Sequence, residues 1–123
     1  MNIAITTIPH NAQRYSTAGD WRFDARGNLL ITVSKMDNPL FEFLVAYHEL
    51  VEVMLCKRRG ITEKQVDDFD MNWKEHDGLV EPGADPAAPY HAEHMFAMGA
   101  EYAMLYQLGV DRDAYEEALD SLE

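Results

Sequence analysis

With 123 residues, 47% hydrophobic and 26% charged, the chain has the size and composition of one folded domain, too small for two cores and too apolar for a disordered segment. Its 22 acidic residues against 10 basic ones give a net charge of −12, which repels a phosphate backbone. That excess argues against direct nucleic-acid binding and leaves cation binding, or mimicry of a polyanion, as charge-compatible roles.

The opening residues Met1 to Thr7 show no basic stretch followed by an apolar one, so no signal peptide is expected. Ile3, Ile5 and Thr7 alternate with small or polar residues, a strand pattern that Pro9 ends. Trp21 and Phe23 alternate with Asp20, Arg22 and Asp24. After the turn Ala25-Arg26-Gly27-Asn28 comes the run Leu29 to Val33, and the two runs predict a β-hairpin. Ser34 to Pro39 is a connector.

From Leu40 the period becomes helical. Leu40, Leu44, Tyr47, Val51, Met54 and Leu55 form the expected apolar stripe, Lys57-Arg58-Arg59 suit the negative end of the helix dipole, and Gly60 is the stop. The apolar run Phe43 to Tyr47 is far short of the ~20 residues that cross a bilayer, so a membrane partner is not expected. The single cysteine, Cys56, excludes an intrachain disulfide and fits a reducing compartment; the cytoplasm is the expected location. Thr62-Glu63-Lys64-Gln65 reads as a capping box that opens a second helix, about Glu63 to Glu75, with Val66, Phe69 and Trp73 on one side. Asp77 to Pro89, with three prolines and two glycines, suits a lid or the wall of a site. A third helix is expected over about Tyr90 to Leu108, ended by Gly109, and a short fourth over about Asp111 to Leu122.

Strands first and helices second predict an α+β domain over 1–123, strand-rich across 1–36 and helical across 40–122. The expected architecture is a small N-terminal antiparallel sheet packed against three to four helices.

The chemistry concentrates in Tyr47-His48-Glu49-Leu50-Val51-Glu52. His48 and Glu52 are four apart, so they stand one above the other on one helix face, a spacing that suits two metal ligands. The helical wheel sets both at the margin of the apolar stripe, where a carboxylate needs a partner. Glu49 is turned by about 100° from His48. In H-E-x-x-H helices that glutamate is the general base toward a metal-bound water. Here the pattern is H-E-x-x-E, so a later histidine has to complete the set. His94 is the preferred third ligand, with His91 as its substitute, Glu101 as a carboxylate to orient the imidazole, and a water in the open position. Zn²⁺, or another divalent cation, is the expected ion, and metal-assisted hydrolysis of an unknown substrate is the reaction it points to.

Other readings use the same residues. His48 and Glu52 also make an ordinary helix pair, and an acidic protein without chemistry can mimic DNA or fill a partner's basic groove. Glu49 and Glu52 followed by Asp67 and Asp70 make two acidic pairs on consecutive helices. All-α nucleotide pyrophosphohydrolases of the MazG type gather Mg²⁺ with such pairs, but that bundle explains neither the strands nor His48. Cys56 reads as a buried inert thiol, and Met95, Met98 and Met104 as core filling.

Gln13-Arg14-Tyr15, Gly19-Asp20-Trp21, His48-Glu49-Leu50-Val51-Glu52 and Ala88-Pro89-Tyr90 with Glu93-His94 together resemble a group of small uncharacterised proteins of bacteriophage and prophage type. The resemblance spans nearly the whole chain. It implies a phage or prophage origin, with the host cytoplasm as location, and brings no activity with it. The His48–Glu49 helix is also similar, over about six residues, to the active-site helix of zincin-like metallopeptidases, which pack that helix against a small sheet. Glu52 departs from their pattern.

Overall fold

The computed structural model describes residues 1–122 and is an α+β fold. Strand β1 spans Ile3–Ile8, β2 Gly19–Phe23 and β3 Leu29–Ser34; helix α1 spans Pro39–Arg58, α2 Glu63–Asn72, α3 His91–Gln107 and α4 Arg112–Asp120. Short 3₁₀ turns occur at His10–Ala12 and Pro82–Ala84.

The expected hairpin forms, with β2 antiparallel to β3 and Trp21 opposite Ile31. The Asp24 carboxylate closes its turn by accepting from the backbone N–H of Arg26 and Asn28. Antiparallel pairing does not extend to the whole sheet. The order is β1-β3-β2, and β1 lies parallel to β3, with Ile5 beside Ile31. With β2 on one edge of β3, the first strand takes the other; the chain reverses between β1 and β2 and again between β2 and β3, so β1 and β3 run the same way. Alternation along a strand sets which face is apolar but carries no direction, so the sequence pattern is blind to this. As an edge strand, β1 leaves Ile3 and Ile5 each 49% exposed.

Leu29, Ile31 and Val33 of β3 bury the inner face of the sheet against α1, beside Leu44, Val45 and Val53. Helix α1 begins as its residues dictate: Pro39 sits in the first turn and the Asn38 side chain accepts from the N–H of Leu40 and Phe41. Gly60 ends it with φ +73°, a conformation that favours glycine. The stripe is rotated from the expected one. Leu40 and Met54 are 45% exposed, whereas His48, Glu52 and Cys56 are buried with Leu44, Val45 and Val53. The wheel weights apolar residues outward from a polar margin; here the polar pair occupies the middle of the buried face because other elements satisfy it.

The Thr62–Gln65 capping box opens α2 as expected. The helix ends at Asn72 instead of Glu75, because Trp73 turns extended and its indole N–H donates to Asp85 at 3.0 Å. Helix α3 packs along α1, with Leu105 and Ala97 fully buried. Among the described residues no helix is long and apolar enough to cross a membrane.

Candidate metal centre

Three side chains converge between α1 and α3. His48 and Glu52, one turn apart on α1, and His94, in the first turn of α3, each offer one ligand atom, all within 4.8 Å of one another. His48 Nε2 lies 3.1 Å from Glu52 Oε2 and 3.2 Å from His94 Nδ1, and His94 Nδ1 lies 2.9 Å from Glu52 Oε2. The three are 8%, 5% and 6% exposed.

Each member is held from behind. His48 Nδ1 meets Glu101 Oε1 at 2.8 Å, and Tyr115 O–H donates to the other oxygen of Glu101. His94 Nε2 meets Glu81 Oε1 at 2.9 Å. The Trp21 indole N–H donates to Glu52 Oε1 at 3.1 Å. An ionised carboxylate only accepts, so Glu101 and Glu81 place the proton of each neutral ring on its far nitrogen. The two near nitrogens then present lone pairs toward each other and toward Glu52 Oε2. Three acceptors facing one point require a cation, either protons or a metal ion.

The proton affinities follow. Burial pushes His48 down, but hydrogen bonds to Glu101 and Glu52 and the nearby carboxylate charges outweigh it and hold it at about 11. His94 is depressed by burial and lifted further by Glu52 and Glu81, to about 9. Burial raises Glu52, yet hydrogen bonds from the two histidines pull it to about 2. The group therefore gathers positive charge. A triangle with 2.9–3.2 Å edges also suits an ion. At a metal–ligand distance of about 2.0–2.2 Å, right-angled ligands are about 2.8–3.1 Å apart and tetrahedral ones about 3.3–3.6 Å. Ring movements of a few tenths of an ångström cover the difference.

The group lies on the wall of a cavity of about 550 Å³. Glu49 lines the same cavity, its side chain lying against Val45 and Gly19, where a Cβ at Gly19 would stand 2.7 Å from Glu49 Oε1. Burial, then the charge of Glu52, holds the Glu49 carboxyl well above the usual carboxylate range. Asp70 is pushed up to about 6, by burial first, against a 2.7 Å hydrogen bond from Tyr90 O–H.

The structure thus brings together His48, Glu52 and His94, with Glu101 behind His48. His91 stays outside; its Nδ1 lies 3.0 Å from the Gly83 carbonyl. Cys56 is buried with its thiol pushed up to about 12, chiefly by burial. Asp67 turns to Arg14 at 3.4 Å and Asp70 to Tyr90, so they form no four-carboxylate cluster with Glu49 and Glu52; among the described residues the His48–Glu52–His94 group is the one set with metal-ligand spacing.

Sequence reasoning did not find Trp21, Glu81, Tyr115 or Gly83. Trp21 sits on the hairpin and Tyr115 on α4, and neither position has a spacing relation to α1. Glu81 and Gly83 lie in the Pro-rich segment expected to be a lid or wall, and wall is what it forms. Gly83 packs against the imidazole: a Cβ there would stand 2.5 Å from His94 Cγ. Gly83→Ala is therefore expected to displace the ring from Glu52 and weaken zinc binding by about 10–100-fold, with the helical circular dichroism unchanged. A zinc titration of the two proteins side by side checks this.

Comparison with protein-family models, with curated proteins and with solved structures finds no match to this chain.

Proposed function

We propose that the chain is a divalent-metal protein, with zinc as its ion, and that the site hydrolyses a neutral or cationic substrate such as an amide or ester. The observation that carries the reading is the convergence of two imidazole nitrogens and one carboxylate oxygen, each backed by its own hydrogen-bond partner. Two histidines and one carboxylate are the ligand set of hydrolytic zinc sites that keep a position open, and here all three residues line the cavity. A bound ion supplies Lewis acidity and lowers the pKa of a coordinated water toward about 7.

The chain's own residues supply the rest. Glu49, one residue on from His48 and lining the same cavity, is the proton acceptor, and it returns the proton to the leaving group. Burial and the charge of Glu52 raise its proton affinity above that of an ordinary carboxylate, the direction that strengthens a general base. Glu101 and Glu81 keep both rings in the ligating tautomer. The packing of α1 on the small sheet supports the likeness to a zincin-like helix, with Glu52 in place of the pattern's second histidine and the third ligand drawn from α3.

The lining selects the substrate. Asp20, Glu49, Asp67, Asp70 and Glu75 face the cavity, and no lysine or arginine among the described residues does. Asp20 and Asp67 are paired with Arg14, and the acidic character of the remaining lining favours an ammonium or guanidinium group over a phosphoester or nucleotide.

Calorimetric titration of chelator-treated protein with Zn²⁺ tests the reading, and one ion per chain is the expected result. Glu49→Gln should then keep its zinc and lose about 10²–10⁴-fold in turnover against a panel of amides and esters with and without a positive charge. Because the carboxyl is held up by burial and by Glu52, the amide should also fold at least as well as the parent. Failure to bind any divalent ion removes the proposal. Salt-sensitive binding to a basic protein without metal would favour the mimic instead.

A further inference from the structure

Helix α3 carries its ionisable side chains on the inside. Glu93, His94 and Glu101 are buried and His91 is half-buried. Its outer face is Ala92, Met95, Phe96, Gly99, Ala103 and Tyr106, all exposed, with Phe96 at 64% and Tyr106 at 62%. That face holds no charged residue in a chain with 22 acidic ones. Positions 92, 96, 99, 103 and 106 are spaced four, three, four and three, the seam of a helix that pairs with another helix.

Gly99 gives the second clue. It sits in the middle of α3, where glycine weakens a helix relative to alanine, and a Cβ built there meets nothing within 4 Å. Nothing inside one copy calls for glycine at that position. A backbone arriving from outside does.

We infer that the outer face of α3 pairs with the same face of a second copy, antiparallel across a two-fold axis at Gly99. The occupant follows from the face itself. With Gly99 on the axis, Tyr106 of each copy lies over Ala92 of the other, and Met95 over Ala103. Large meets small at both places, the self-complementarity a two-fold interface requires. Antiparallel pairing also sets the two helix dipoles head to tail. Two copies that each carry −12 can approach only through an uncharged face, and an anionic membrane or a nucleic acid repels both. One helix face gives less than the roughly 800 Å² per partner of a standard interface, so the dimer is a weak, concentration-dependent one.

Sedimentation of the full chain from about 1 to 500 μM tests this. The expected mass rises with concentration from 14.1 kDa toward twice that value, and the association strengthens as salt screens the mutual repulsion. Gly99→Glu should stay folded, since its Cβ has open space, and remain a monomer throughout. Gly99→Ala should raise the melting temperature while weakening the dimer at least tenfold, a pair of opposite effects that misfolding does not produce. A parent protein that stays monomeric at 500 μM overturns the inference. So does a Gly99→Glu variant that associates like the parent, or an association that salt dissolves.

Discussion

His94→Ala is expected to lower zinc affinity by at least about 10²–10³-fold and to leave purified protein without its stoichiometric ion. The magnitude comes from the ligand count. Protein zinc sites with four ligands bind with about 10–16 kcal/mol, which is about 2.5–4 kcal/mol per ligand and therefore about two to three decades in affinity. His48→Ala should lose as much, because it contributes an equivalent nitrogen to the same triangle. Glu81→Gln and Glu101→Gln should lose less, about 10–100-fold each, since they orient the rings and raise their basicity without touching the ion. The graded series is the diagnostic. Circular dichroism of each variant separates loss of the ligand from loss of the fold, and equal affinities in the parent, His48→Ala and His94→Ala would end the case for this centre.

Without metal, the folded protein is expected to lose stability as pH rises from 6.5. His48 is held at about 11 and His94 at about 9, against an ordinary value of 6.5. A raised proton affinity contributes stability that is whole below the unfolded value and drains away as pH climbs through the folded one. Between pH 6.5 and 9 the native state keeps protons that the unfolded chain has released, at about 1.4 kcal/mol per pH unit for each ring. Glu52 acts at the other end. Held at about 2 instead of 4.5, it contributes stability present above pH 4.5 and lost as pH falls toward 2. Asp70, pushed up to about 6, loses its contribution between about pH 3.8 and 6, and Glu49, also pushed up, begins to lose its own above 4.5, so both declines start on the acid side of the histidines. These groups together set the optimum of the metal-free protein at acid pH, below 6.5. Zinc replaces the protons, so the loaded protein should lack the alkaline slope, and the gap between the two forms should widen from pH 6 to 8.5. Urea unfolding of both forms across that range measures it; a metal-free stability that is flat or rising would contradict the assigned hydrogen bonds.

What the sequence disclosed, and what it withheld, follows from the range of each interaction. The i, i+4 relation of His48 and Glu52 is local, and the next His-bearing helix offered few candidates, so the three side chains that converge were readable. Their depth was not. A helical wheel treats histidine and glutamate as outward-tending, and it has no means of knowing that Trp21 on a hairpin, Glu81 in a loop and Glu101 on α3 complete their hydrogen bonding. The capping box at Thr62 was legible because its partners are three residues apart, whereas the early end of α2 depends on Asp85, twelve residues beyond Trp73. The hairpin was visible in its turn, but the parallel alignment of β1 depends on which edge of β3 was free.

The segment between α2 and α3 is fastened at two points. Asp85 accepts from Trp73 and the Ala87 N–H and pairs with His76, while Glu81 reaches inward to His94. Glu81 thereby ties this wall to the imidazole, so any shift of the segment would also change how strongly that ring donates electrons. Linkage makes the tie reciprocal: an ion that drew on His94 would strengthen the ring's hold on Glu81 and fasten the wall more firmly.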